Sequence, residues 1–215
     1  MSRNQWTIGL SGNIAASFPS PGLSGPEAVR VACGNEGTAN ADLTVTPASG
    51  LPHGRTQGRL RCLFRVTGDM SAAWPNNVLG LFFQSQEAAV IGTPNVTCYG
   101  VVVAYNQVTL RKVTGSQSLA GGDILATAPQ GYVPGTLLSL QAQWEIVNAN
   151  QVRMQVWRGT TPTYSNLSTI LDHTDLSGAY LTSQWEGACV RQVAASPGGL
   201  LVATLDRLEL YHKTP

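Results

Sequence analysis

Leu137-Leu138-Ser139-Leu140-Gln141-Ala142-Gln143-Trp144-Glu145-Ile146-Val147 alternates apolar and polar side chains, and Val152-Arg153-Met154-Gln155-Val156-Trp157 resumes the alternation after Asn148-Ala149-Asn150. A period of two is that of a strand with one face buried. It sends Leu138, Leu140, Ala142, Trp144 and Ile146 inward with Val152, Met154 and Val156. Gln141, Gln143, Arg153, Gln155 and Trp157 go to the opposite surface. The short polar connection predicts an antiparallel hairpin whose polar sides share that surface.

The same signals recur along the chain, about a dozen times. Between Arg59 and Val66 the residues Leu60, Cys62, Phe64 and Val66 alternate with Arg59, Arg61 and Arg65, interrupted only by Leu63. Tyr99–Tyr105 and Val108–Val113 are expected to pair through Asn106-Gln107. Val78-Leu-Gly-Leu-Phe-Phe83 is apolar on both faces, which suits the middle of a sheet. No helix is expected, because Ser71-Ala-Ala-Trp74 is stopped by Pro75. Two packed antiparallel sheets follow. Phe18–Pro26, rich in Pro, Gly and Ser, reads as a loop. Residues 1–50 are therefore expected to form an N-terminal arm or extra edge strands, with the sandwich over 51–215.

Composition agrees. The 215 residues include 23 Gly and 12 Pro, and only 12% are charged, with 13 Lys+Arg against 12 Asp+Glu. That is about half the usual charged share of roughly 25%. Neither a disordered polyelectrolyte nor a nucleic-acid binder fits a net charge of +1 without a basic run. No apolar stretch is long enough to span a membrane as a helix. The opening Met-Ser-Arg-Asn-Gln-Trp lacks the pattern of a secretion signal, so a chain starting there is expected to fold in a host cytoplasm. Cys33, Cys62, Cys98 and Cys189 lie far apart in apolar, strand-like contexts. Buried thiols are expected in preference to disulfides or zinc ligands.

Arg-Leu-Arg-Cys-Leu-Phe-Arg-Val (59–66), Gly-Leu-Phe-Phe (80–83), Tyr-Gly-Val-Val-Val (99–103), Val-Thr-Leu-Arg-Lys-Val (108–113), Leu-Gln-Ala-Gln-Trp (140–144), Val-Arg-Met-Gln-Val-Trp (152–157) and Leu-Asp-Arg-Leu-Glu-Leu (205–210) follow one another in a familiar order. Over roughly residues 55–212 the chain resembles the concanavalin A-like, laminin-G-like jelly-roll superfamily. The resemblance implies that the first and last strands of the domain lie side by side, so that Arg59, Arg61 and Arg65 face Arg207 and Glu209. The superfamily hosts lectins, glycosidases, adhesion modules and viral structural proteins, so it leaves function open.

Chemistry is sparse. A glycosidase needs two carboxylates about 5–9.5 Å apart across a sugar. The Glu-x-Asp-x-(x)-Glu strand of the glucanase branch is absent. Asp172/Asp175 and Asp206/Glu209 have a spacing of three, which puts each pair on opposite faces unless a bulge intervenes. His53, His173 and His212 are isolated and read as surface residues. The Asp-rich metal loop of the legume lectins is absent, so no metal cofactor is expected, with room left for a single calcium in an Asp-containing loop.

What remains is an amide- and aromatic-bearing surface of Gln141, Gln143, Arg153, Gln155 and Trp157, suited to a sugar or to a protein neighbour. Trp74 and Trp185 read as core plugs or contact anchors. Low charge, a jelly roll without catalytic carboxylates and a Pro/Gly/Ser arm together point to a noncatalytic structural protein of a tailed-bacteriophage particle. Capsid decoration and a tail, baseplate or fibre component are the expected roles, with self-association, trimers included, and other virion proteins as partners. A carbohydrate-binding, lectin-like module is the alternative, and a glucanase-type hydrolase the remotest reading.

Overall fold

A computed structural model describes residues 6–11, 14–17, 29–33, 41–47, 56–67, 78–86, 96–116, 119–180, 185–192 and 202–212. The loop expected over Phe18–Pro26, the Ser71–Trp74 segment and His53 lie outside the described residues. The strands are β1 (Trp6–Ser11), β2 (Ile14–Ser17), β3 (Val29–Cys33), β4 (Ala41–Pro47), β5 (Gln57–Thr67), β6 (Val78–Ser85), β7 (Val96–Val103), β8 (Val108–Ser116), β9 (Asp123–Ala128), β10 (Leu137–Asn148), β11 (Gln151–Gly159), β12 (Ser168–Asp175), β13 (Trp185–Gln192) and β14 (Val202–His212). A 3-10 turn, Leu119–Gly121, is the one helical element among the described residues.

Among the described residues two seven-stranded sheets face each other, ordered β1-β4-β13-β6-β7-β8-β9 and β12-β11-β10-β5-β14-β3-β2. Every pairing is antiparallel. This is the concanavalin A-like jelly-roll sandwich. β1 and β2 are edge strands, one on each sheet. β6, apolar on both faces, sits in the middle of the first sheet between β13 and β7. The hairpins β7–β8 and β10–β11 turn where their sequences require, and β5 lies beside β14.

The core fills the space between the sheets. Leu60, Phe64, Leu140, Ala142, Trp144, Val152, Met154 and Val156 from one sheet meet Leu81, Phe83, Tyr99, Val101 and Leu110 from the other. Phe83 stacks on Trp144 with centroids 4.8 Å apart. Gly58, directly across from Trp144, is required there, because a Cβ would come within 2.2 Å of the indole. Cys62, Cys98 and Cys189 are buried thiols. Burial pushes the Cys62 and Cys98 thiols well above their ordinary range.

A polar pin closes one side of the sandwich. Asp175, on the core side of β12 opposite Val152, accepts hydrogen bonds from the Tyr99 hydroxyl (2.7 Å), Lys112 Nζ (2.8 Å) and Ser177 Oγ (2.6 Å). Burial pushes its carboxyl up, but the bonds from Lys112, Ser177 and Tyr99 outweigh burial and hold it well below the usual carboxylate range. Lys112 also packs over the rings of Tyr99 and Tyr180. The second sheet is thus tied to the first.

The two outer faces differ. On the first sheet Phe82, Val96, Cys98, Val102 and Cys189 are buried outside the main core, with the 3-10 turn laying Leu119 over them. On the second sheet the outer face carries mainly polar side chains, in part exposed.

Candidate functional site: the outer face of the second sheet

Strand register arranges the outward side chains of the second sheet in rows. One row runs Thr169, Trp157, Gln141, Arg61, Glu209, and the next Asp172, Gln155, Gln143, Arg59, Tyr211. At a strand spacing of about 4.8 Å, five strands give a platform roughly 19 Å across. A register shift leaves Ile170 as an extra residue on β12 and brings Thr169 opposite Trp157.

The chemistry is concentrated in two clusters. At the β11–β12 end, Arg153 donates to both Asp172 carboxylate oxygens (3.4 and 3.1 Å), and Gln155 Nε2 donates to Asp172 Oδ2 (2.8 Å). The bonds from Arg153 and Gln155 lower the Asp172 carboxyl below its ordinary value. At the β5–β14 end, Arg61 Nε donates to Gln141 Oε1 (2.6 Å), and its Nη1 lies 3.8 Å from Glu209 Oε2. Glu209 also accepts from Arg207 (3.2 Å) and the Tyr211 hydroxyl (2.7 Å). That hydrogen bond raises the Tyr211 phenol, which acts as a donor. Arg59 packs 4.6 Å above the Tyr211 ring.

A wall rises beside this second cluster. β14 carries a bulge between Asp206 and Glu209, with Arg207 in the left-handed region at φ 47°. Tyr164, also left-handed at φ 55°, donates its hydroxyl to the Arg207 carbonyl (2.8 Å), while Arg207 donates to the Pro162 carbonyl (3.0 Å). Arg61 and Arg207 both pack on the Tyr164 ring. Backbone strain in two linked non-glycine residues is of the kind that collects at functional sites. The segment carrying Tyr164 lies across the next row, where Ser139 donates to the Thr161 carbonyl and Leu63 and Asp206 are fully buried. That cover explains why Leu63 breaks the alternation of β5.

Gln141, Gln143, Arg153, Gln155 and Trp157 therefore share one face as expected, although Gln141 is buried beneath its neighbours. Trp185 lies on the other sheet, at the start of β13, and Trp74 lies outside the described residues. Asp172 and Asp175 point to opposite faces. The bulge overturns the same expectation for Asp206 and Glu209: they sit across from Leu63 and Arg61, both outward-facing, and so share a face. His173 is half-buried opposite Met154, on the core side of the sheet. Arg59, Tyr211 and Tyr164 were not singled out as site residues. Their part in the site depends on the β5–β14 register and on a loop contact that spans 43 residues of chain.

No protein-family model and no curated protein matches the chain. Solved structures share the fold. A crystal structure of endo-β-1,4-glucuronan lyase from the fungus Trichoderma reesei is similar at a TM-score of 0.63 with 14% identity, over 97% of this chain and 91% of that one. The VIP36 exoplasmic/lumenal domain in its Ca2+/Man3GlcNAc-bound form matches at 0.56 and 14%, over 97% and 86%. The carbohydrate recognition domain of Emp46p, in a metal-free form, matches at 0.54 and 10%, over 94% and 87%. Calcium is present in the VIP36 form. Among the described residues here, no group of three or more His, Cys, Asp and Glu side chains is placed to hold a metal.

Proposed function

We propose that this protein is a noncatalytic carbohydrate-binding protein that holds glycan on the outer face of its second sheet. The observation that carries the reading is the pair of adjacent rows, in which Trp157 and Tyr211 flank a lattice of glutamine amides and guanidinium groups. The Trp157 indole presents a flat apolar face to a sugar ring, while amides both donate to and accept from hydroxyls. Fold-level analogy supports it, since two of the similar structures are named for carbohydrate recognition or hold a mannose glycan, and the third is a glucuronan lyase.

A noncatalytic role is supported by how the carboxylates are engaged. Asp206 is fully buried, and Glu209 is held by Arg61, Arg207 and Tyr211. The virion role expected from composition would set where such a module works, and a particle protein gripping surface glycans would use this same face. The platform itself needs no metal in this reading. A glycan array read with wild type and Trp157→Ala tests the proposal: saturable binding lost in a variant with an unchanged thermal midpoint supports it. Equal binding by both proteins contradicts the placement of the site.

A further inference from the structure

Every solvent-reaching carboxylate of the two central rows is already engaged. Asp172 is held by Arg153 and Gln155, and Glu209 by Arg61, Arg207 and Tyr211. Glu145, in the row beyond, accepts from Gln57. Arg59 differs. It lies between Gln143 and Tyr211 in the second row, its guanidinium packs over the Tyr211 ring, and its Nε is buried without a hydrogen-bond partner. No carboxylate of the described residues pairs with it. A buried donor without an acceptor is costly and uncommon in folded proteins. On an arginine-rich face, a guanidinium that no carboxylate of the described residues holds is suited to an anionic ligand.

We propose that Arg59, Gln143 and Tyr211 form a subsite for an acidic sugar, a residue of the glycan that carries a carboxylate. The inference rests on the glycan-binding reading above and names the class of glycan. The planar guanidinium fork matches a carboxylate in a way that a sugar hydroxyl does not. Gln143, exposed directly across from Arg59, presents an amide to a neighbouring hydroxyl. Tyr211, 42% exposed, backs the cation with its ring. Arg61, two residues along β5 and packed on the same Tyr211 ring, adds positive potential, so attraction weakens with salt.

The test is calorimetric titration of the full chain with an oligoglucuronate and with the same oligosaccharide after carboxyl reduction, for wild type, Arg59→Gln and Arg59→Lys. Wild type is expected to bind the acidic form at least about tenfold more tightly, the worth of one charge-assisted pair. Arg59→Gln erases that preference, so that the acidic and reduced forms bind it with equal affinity. Arg59→Lys, which keeps the charge and loses the fork, falls between. Equal wild-type affinity for the two probes, or a preference that survives in Arg59→Gln, overturns the inference and leaves the glycan-binding face standing. Failure of both probes overturns the inference, and failure of neutral mannose-containing glycans as well takes the proposed function with it.

Discussion

At Gly58 the absence of a side chain makes room for Trp144, whose indole a Cβ would meet at 2.2 Å. Gly58→Val is therefore expected to lower stability by about 2 kcal/mol or more through overpacking, read as a fall in denaturation midpoint. Asp175 gives a pH signature. Its carboxyl is held below the ordinary value in the folded chain, so the stability it contributes is fully present above the unfolded value of about 3.9 and is lost as pH falls below it. In Asp175→Asn that acid-side slope should shrink. The variant should also lose about 3 kcal/mol, because the half-buried Lys112 loses its ion-pair partner. An unchanged slope between pH 4 and 2 would show that the pin carries no proton linkage.

At the scale of elements, the β14 bulge decides what faces the platform. Arg207 and Leu208 together stand across from a single β5 position, with Leu208 in the core and Arg207 turned out to Tyr164 and Glu209. Deleting Arg207 is expected to leave a regular strand that keeps Leu208 inward and Glu209 opposite Arg61, at a modest loss of stability. Deleting Leu208 drives the arginine inward, which a dry core does not tolerate, and should abolish cooperative unfolding. Equal melting behaviour of the two deletions would contradict the bulge. None of this was legible from Leu205-Asp206-Arg207-Leu208-Glu209, since a spacing of three reads as opposite faces and no glycine or asparagine marks the left-handed turn. The β10–β11 hairpin was legible residue by residue, because its alternation is uninterrupted and its turn is short. The neighbouring of β5 and β14 was implied only by resemblance to a known fold, and the cover over Leu63 by nothing local.

Across the whole molecule, the two sheets carry unequal outer faces, one apolar and covered, the other polar with its aromatic and guanidinium groups in register. The first four strands belong to those sheets, β4 against β13 and β3 against β14. A chain starting at Thr56 is therefore expected to melt lower and to aggregate through two newly bared edges. A folded monomer with an unchanged midpoint would mark residues 1–50 as a separable arm. Glycan binding should likewise survive a chelator, measured by titration before and after EDTA. The most direct measurement is an NMR titration with the best glycan from the array, following the indole N–H of Trp157 and the Nε–H of Arg59 and Arg61. Saturable shifts confined to these groups and to the backbone of β5, β10, β11 and β14 are the expected result. Shifts confined to the first sheet or to the loops at the ends of the sandwich, with the platform silent, would place the ligand elsewhere.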